Sequence, residues 1–241
     1  MDLKEQKILK RRVSHHWYYR SKYLALSKFI ERMPFMNILD VGAGHGFFSK
    51  QLLRATDASS AVCVDTGYPE ETKETYFGKK IEFRKTIPFS SADLVLLMDV
   101  LEHVQDDAAL VRECREKVRS GTMFVITVPA FQCLFSRHDV FLGHCRRYSR
   151  KQLEKVLRSA GLEIVRSNYF FLFVLFCASL KRFFHKIQTK YLLEESTPSS
   201  DLKMRGKFVN GLMIQLNKLE FLLLRNNKLA GLSIFCLARK I

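Results

Sequence analysis

Two carboxylates and three glycines carry the clearest chemistry in this chain. The run Asp40-Val-Gly42-Ala-Gly44-His-Gly46 follows an apolar stretch and opens an amphipathic one, which sets a turn between a strand and a helix. Glycines there let backbone N–H groups approach a ligand, and a helix N-terminus adds partial positive charge. A dinucleotide-binding turn reads G-x-G-x-x-G, whereas this one reads G-x-G-x-G behind an acid. A carboxylate at the strand end repels a pyrophosphate and suits an ammonium. Asp65, 23 residues after Gly42, ends the next apolar run, where a carboxylate can accept both hydroxyls of a ribose. An adenosine with a cationic amino-acid tail and no phosphate, S-adenosylmethionine, satisfies all of these demands.

Methyl transfer from a sulfonium is an in-line displacement, so a protein must align the nucleophile and exclude water. A hydroxyl or ammonium acceptor must also lose a proton, a task suited to histidine. His103, His138 and His144 are the candidate bases, with Asp139 as an orienting partner; each has a structural role as its alternative. Arg146, Arg147 and Arg150 beside Tyr148 read as a rim for a substrate anion or as a solvated helix start. Six scattered cysteines (Cys63, Cys114, Cys133, Cys145, Cys177 and Cys236) show no C-x-x-C pairing, so reduced thiols are expected, with neither a disulfide scaffold nor a metal site.

The elements that must hold these groups alternate. Apolar runs at 36–41, 61–65, 93–99, 123–128, 162–169 and 232–237 read as buried strands, with a short strand at 81–83. Helical patterns cover 18–32, the stretch after Gly46 and the stretch from Asp106 to the Ser120-Gly121 stop. Ser149-x-x-Gln152 is a capping box for a further helix ending at Gly161. This alternation predicts an α/β fold with a parallel sheet covered on both faces. The long segment 170–230 reads as a helical insertion in which Val209, Leu212, Met213, Leu216, Leu219 and Leu223 share one face, and 194–201 reads as a loop. The expected division is a helical cap over 1–35, a core over 36–169, the insertion over 170–230 and a last core strand over 231–241.

The chain of 241 residues carries a net charge of +16, unevenly spread. Residues 36–144 hold 12 basic and 15 acidic side chains, whereas 1–35 hold 9 and 3, and 145–241 hold 19 and 6. Cationic flanks on a balanced centre favour a phosphate-bearing partner or a solvated surface. The charged first residues lack the apolar core of a secretory leader, and the longest apolar run, 169–180, is too short to span a membrane, for which about 20 residues are needed. A cytoplasmic location is expected. The aromatic run followed by Lys181, Arg182 and Lys186 adds an anionic membrane surface, such as the inner face of the cell membrane, as a candidate partner. Nothing in the sequence indicates an oligomeric state.

The ordered motifs carry a resemblance. Ile38-Leu-Asp-Val-Gly-Ala-Gly-His-Gly46, Asp65 and Asp99-Val-Leu-Glu-His-Val104 resemble the class I S-adenosylmethionine-dependent methyltransferases, particularly the methyltransferase type 11 group related to the quinone-biosynthesis enzymes. His15-His-Trp-Tyr-Tyr-Arg20 is similar to the His-Trp-Trp-Phe-x-x-Arg element of one bacterial subgroup. Val128-Pro-Ala-Phe-Gln and His138-Asp-x-x-x-Gly-His-x-Arg-Arg-Tyr148 are similar to that subgroup's stretch after the fifth strand. The resemblance covers about residues 15–169. It implies a Rossmann-like, doubly wound sheet of seven strands in the order 3-2-1-4-5-7-6, with strand 7 antiparallel and the insertion before it. It also implies that Asp40, Gly42, Ala43 and Gly44 hold the methionine portion of S-adenosylmethionine, Asp65 the ribose and Thr66 the adenine edge, with Asp99, Val100 and His103 beside the methyl group. The acid that usually meets the adenine near the end of strand 3 is missing from Phe83-Arg-Lys-Thr-Ile-Pro88. Trp17 and Tyr18 read as a lid over the cofactor or as core, with Arg20 facing its carboxylate. The implied activity is methyl transfer to an oxygen or nitrogen of a small-molecule or lipid- or glycan-linked acceptor, leaving S-adenosylhomocysteine. The competing readings are an RNA methyltransferase, suggested by the charge but lacking an Asn/Asp-Pro-Pro-Tyr motif, and a non-catalytic cofactor-binding protein.

Overall fold

A computed structural model describes residues 15–31, 33–177, 206–224 and 226–241. After helix α1 (Trp17–Ile30) come β1 (Asn37–Val41), α2 (Phe47–Ala55), β2 (Ser60–Val64), β3 (Thr72–Tyr76), β4 (Lys79–Arg84) and β5 (Leu94–Met98). Then follow α3 (Asp107–Glu116), β6 (Met123–Pro129), α4 (Arg137–Leu142), α5 (Arg150–Ser159), β7 (Leu162–Phe170), α6 (Lys207–Leu223) and β8 (Ser233–Lys240). The strands form one sheet in the order β3-β4-β2-β1-β5-β6-β8-β7, with β8 antiparallel to both of its neighbours.

Removing β3 leaves the seven-strand order that the sequence motifs imply. The eighth strand is a correction. Its residues, Thr72-Lys-Glu-Thr-Tyr76, have no buried member, so no apolar run announces them. A two-residue turn at Phe77-Gly78, with φ of 52° and 74°, folds β3 back along β4. Turns with both central residues left-handed match the twist of paired strands, and β3 thereby covers an edge that β4 would otherwise leave open.

Strand residues alternate between two cores. Leu94, Leu96 and Met98 of β5 join the layer of α1, α2 and α6, while Val95 and Leu97 join that of α3 and α5. On β1, Ile38 and Asp40 share the α2 side. That parity delivers the Asp40 carboxyl to α2 instead of to solvent.

The face that α6 buries against α1 and the core is not its leucine stripe. Leu212, Leu219 and Leu223 are exposed, together with Phe208 and Leu222, and the buried face carries Ile214, Asn217, Glu220 and Phe221. The helix is apolar on both sides, so periodicity cannot choose between them; its polar side chains do. Asn210 accepts from Trp17 N–H at 2.7 Å and Asn217 Nδ2 donates to Ser21 Oγ at 3.0 Å. Glu220 accepts the N–H groups of Leu172 and Phe173 at 2.9 and 3.2 Å, capping the start of the helical turn there. The basic stretch from Lys181 and the loop 194–201 lie outside the described residues. Among the described residues no helix is long and apolar enough to cross a membrane.

Candidate active site

Strand order reverses beside β1: β2 lies on one side and β5 on the other. Ligands of open α/β sheets bind at such a point, beyond the carboxyl ends of the strands. Asp40, the glycine turn, Asp65 and Asp99 all lie at those ends.

Asp40 is 1% exposed, and its Oδ2 accepts from Ser49 Oγ at 2.7 Å. Burial pushes its carboxyl up to about 6 against the pull of the Ser49 hydrogen bond. Gly42 and Ala43 N–H both donate to Val64 O, at 2.7 and 3.0 Å, which fastens the turn to β2. Gly42 is left-handed at φ 69°, and a Cβ there would fall 2.5 Å from Val100 Cγ2. Only glycine fits, for reasons of both backbone and space.

Asp65 is half-buried, one oxygen accepting from Gly44 N–H at 3.0 Å and the other from Gly67 N–H at 2.9 Å. Each oxygen keeps acceptor capacity for a hydroxyl. Tyr68 OH, absent from the sequence reading, donates to Gly44 O and spans the turn. Thr66 is exposed at the mouth and Val100 is buried against Gly42. Near the expected adenine edge, Arg84 is paired with Glu82 at 2.6 Å.

Asp99 follows β5 with φ 56°, and its N–H donates to Thr127 O at 3.0 Å. Thr127 Oγ1 in turn donates to Asp99 Oδ1 at 3.1 Å. Its other oxygen pairs with Lys22 Nζ, a fully buried ammonium from α1, and accepts from Tyr18 OH at 3.3 Å. Burial works to raise the Asp99 carboxyl, but the Lys22 charge and hydrogen bond outweigh it and hold the carboxyl below its usual range. Lys22 is the main residue that sequence reasoning missed. The signal was there: Tyr19, Lys22, Leu26 and Phe29 trace one stripe, and the lysine interrupts it.

Trp17 is buried in the core between α1 and α6. Arg20 is exposed, about half a helical turn away from the face bearing Tyr18 and Lys22. The cation that α1 delivers to the crevice is therefore Lys22.

The histidines divide. His103 lies in a 3-10 turn (Leu101–His103), and its ring meets that of His144 edge-on with centroids 4.7 Å apart. His144 Nδ1 lies 2.9 Å from Asp139 Oδ1, and Arg147 grips the same carboxylate with two hydrogen bonds of 2.7 and 3.0 Å. Burial would raise the Asp139 carboxyl, but His144 and Arg147 pull it far below the usual range. Glu102, 1% exposed, completes the group: acceptor and donor atoms of Glu102, His103 and His144 lie within 4.8 Å of one another. His138, half-buried on α4, is not part of it.

The arginine rim is internally neutralised. Arg146 bonds Asp107 at 3.2 Å, Arg147 holds Asp139, and Arg150 bonds Glu154 at 2.7 Å. These cations build the floor under His144 and cap local structure, so they are committed before any substrate arrives.

Residues 15–167 match the family described as a methyltransferase domain. The chain belongs to that family. Its cofactor is S-adenosylmethionine, and the turn fits it: a buried, reluctantly ionised acid for an ammonium, a glycine cradle, and a carboxylate with spare acceptor capacity for a ribose. A relative from Mycolicibacterium smegmatis, described as a probable S-adenosylmethionine-dependent methyltransferase, is 23% identical over 159 residues, 62% of this chain and 60% of its own length. A ubiquinone biosynthesis O-methyltransferase from Rhizobium etli is 28% identical over 160 residues, 56% of this chain and 64% of its own length. The match thus spans about six-tenths of these curated relatives. A methyltransferase solved with the Trm112 activator of Haloferax volcanii shares the fold with a TM-score of 0.57 at 14% identity, covering 98% of this chain and 94% of that one.

Proposed function

We propose that this protein transfers the methyl group of S-adenosylmethionine to an O–H or N–H nucleophile on a small-molecule or lipid-linked acceptor. The acid-flanked glycine turn at the reversal of strand order carries the reading, because Asp40 suits an ammonium and disfavours a pyrophosphate, while Asp65 suits the ribose at the other end. When bound, the cofactor supplies an electrophilic methyl group on a cationic sulfur.

The chain's own residues do the rest. Asp40 holds the ammonium of the amino-acid tail, the glycine turn gives the tail room, and Asp65 holds the ribose hydroxyls. Asp99, kept anionic by Lys22, places negative charge beside the cationic sulfur and orients it through a fixed ion pair. His103 and His144 stand ready to take the acceptor's proton, with the His144 ring fixed by Asp139. Helices α1 and α6 pack together and shield the crevice from water. The exposed apolar stripe of α6, Phe208, Leu212, Leu219, Leu222 and Leu223, supports an acceptor with a lipid portion.

Calorimetry with S-adenosylhomocysteine and with NAD tests the cofactor. Binding of the first alone is expected, and binding of NAD alone overturns the proposal. A screen for S-adenosylhomocysteine release across phenols, carboxylates, amines and prenylated versions of each then tests the acceptor. Turnover only with transfer RNA or ribosomal RNA would replace the small-molecule reading with the nucleic-acid one.

A further inference from the structure

Glu102 presents a problem that nothing in the cofactor cradle explains. Its carboxyl is 1% exposed, and neither oxygen has a hydrogen-bond partner. A buried carboxyl without a partner is costly, and such groups are rare in folded chains unless they have work to do. It is also held close to two imidazoles, all three groups lying within a 4.8 Å span.

The supports around the three are unequal. His144 has its Nδ1 occupied by Asp139, which Arg147 clamps, so its ring cannot turn and Nε2 is the atom left to work with. His103 belongs to the segment that begins with Asp99 and Val100, the lip of the cofactor crevice. Cys145 N–H donates to Glu102 O at 2.7 Å, tying the strand of chain bearing His144 to the turn bearing Glu102 and His103.

We infer that Glu102, His103 and His144 form one proton-sharing unit, in which His103 removes the acceptor's proton and Glu102 and His144 hold it. This rests on the methyl-transfer reading above. As the bond from the acceptor oxygen or nitrogen to the methyl carbon forms, the carbon–sulfur bond breaks and its electron pair stays on sulfur. The acceptor's proton passes to the His103 ring and is shared with the Glu102 carboxylate before leaving to water. Glu102 acts through His103 and is a positioning and proton-holding residue. The other charged groups around the unit are Lys22 of α1, Asp99 after β5, and Asp139 and Arg147 under His144. Beyond them lie Arg146 and the hydroxyl of Tyr148, both bonded to Asp107. Burial, and then the negative charge of Asp99, push the Glu102 carboxyl well above its ordinary range.

The test is nuclear magnetic resonance titration of the histidine rings in the full chain, wild type against Glu102→Gln, with S-adenosylhomocysteine calorimetry on both. Removing the ionisable partner is expected to move the His103 or His144 ring titration and to reduce it to a single step, because interacting groups titrate as a unit and an isolated ring does not. Cofactor affinity should stay within about twofold. Ring titrations that do not move in a folded Glu102→Gln chain overturn the proton-sharing unit. So do wild-type ring resonances that Mg²⁺ or Zn²⁺ shifts and chelation restores, because the three groups would then be sharing a cation. Failure of the wild type to bind S-adenosylhomocysteine instead overturns the underlying function. A second variant, His144→Asn, should move the His103 titration in the same experiment if Glu102→Gln does not fold.

Discussion

Replacing Asp40 with Asn should make the protein more stable and a poorer cofactor binder. The buried carboxyl titrates at about 6, against an ordinary value of 3.8, a difference of about 2 pH units or ~3 kcal/mol. Because the folded value is raised, ionisation works against the fold. The penalty is absent below about pH 4, where the acid is protonated whether folded or not, grows between pH 4 and 6, and is complete above that. Asn keeps the shape and can still accept from Ser49 Oγ, so it escapes the penalty. For a chain of this size ~3 kcal/mol corresponds to a rise in Tm of roughly 6–12 °C. Thermal melts of wild type and Asp40→Asn at pH 4 and pH 7.5 test this, with equal Tm expected at pH 4 and the gain at pH 7.5. Calorimetry should show S-adenosylhomocysteine binding to the wild type weakening as pH falls below 6, by at most about tenfold per unit, while the variant binds weakly throughout. A Tm difference that is the same at both pH values, or a variant that binds as tightly as wild type at pH 7.5, would refute the reasoning. Stability given up at a binding site is a familiar trade.

Three further variants probe the same site. Asp65→Ala should weaken S-adenosylhomocysteine by about 1.5–3 kcal/mol in calorimetry, the scale for hydrogen bonds to a charged group. Gly42→Ala should abolish cofactor binding, since its methyl would meet Val100 Cγ2; adding Val100→Ala should restore binding only in part, because the left-handed backbone strain remains. Lys22→Met should cost about 3–5 kcal/mol in denaturant melts at pH 7, by leaving Asp99 without its cation, and the double change with Asp99→Asn should recover most of it. Here the pH dependence has the opposite sign to that of Asp40: the Asp99 carboxyl is lowered, so the pair stabilises above the ordinary carboxylate range and its contribution fades on acidification.

The motifs that were legible are local. The glycine turn between β1 and α2, the capping box at Ser149 and Gln152, and the apolar strands each declare themselves within a few residues, because backbone conformation and burial on both faces constrain composition directly. Strand β3 was illegible, since it is held by a turn and a neighbour's edge and not by a buried side chain. The arginines after His144 looked like a substrate rim because the sequence does not show Asp107, Asp139 and Glu154 waiting beneath them.

By itself, the sequence determined the class of fold, the strand order implied by its motifs, and the acid-glycine-acid grammar of the cofactor turn. Tertiary structure alone decided which groups work together. It turned Lys22 inward onto Asp99, chose the polar-anchored face of α6, and set Glu102 against two histidines, one of them some forty residues away. The physical reason is range. Helix periods, turns and apolar runs are fixed by neighbours along the chain, whereas the energy of a buried charge depends on whichever charge the fold brings alongside it.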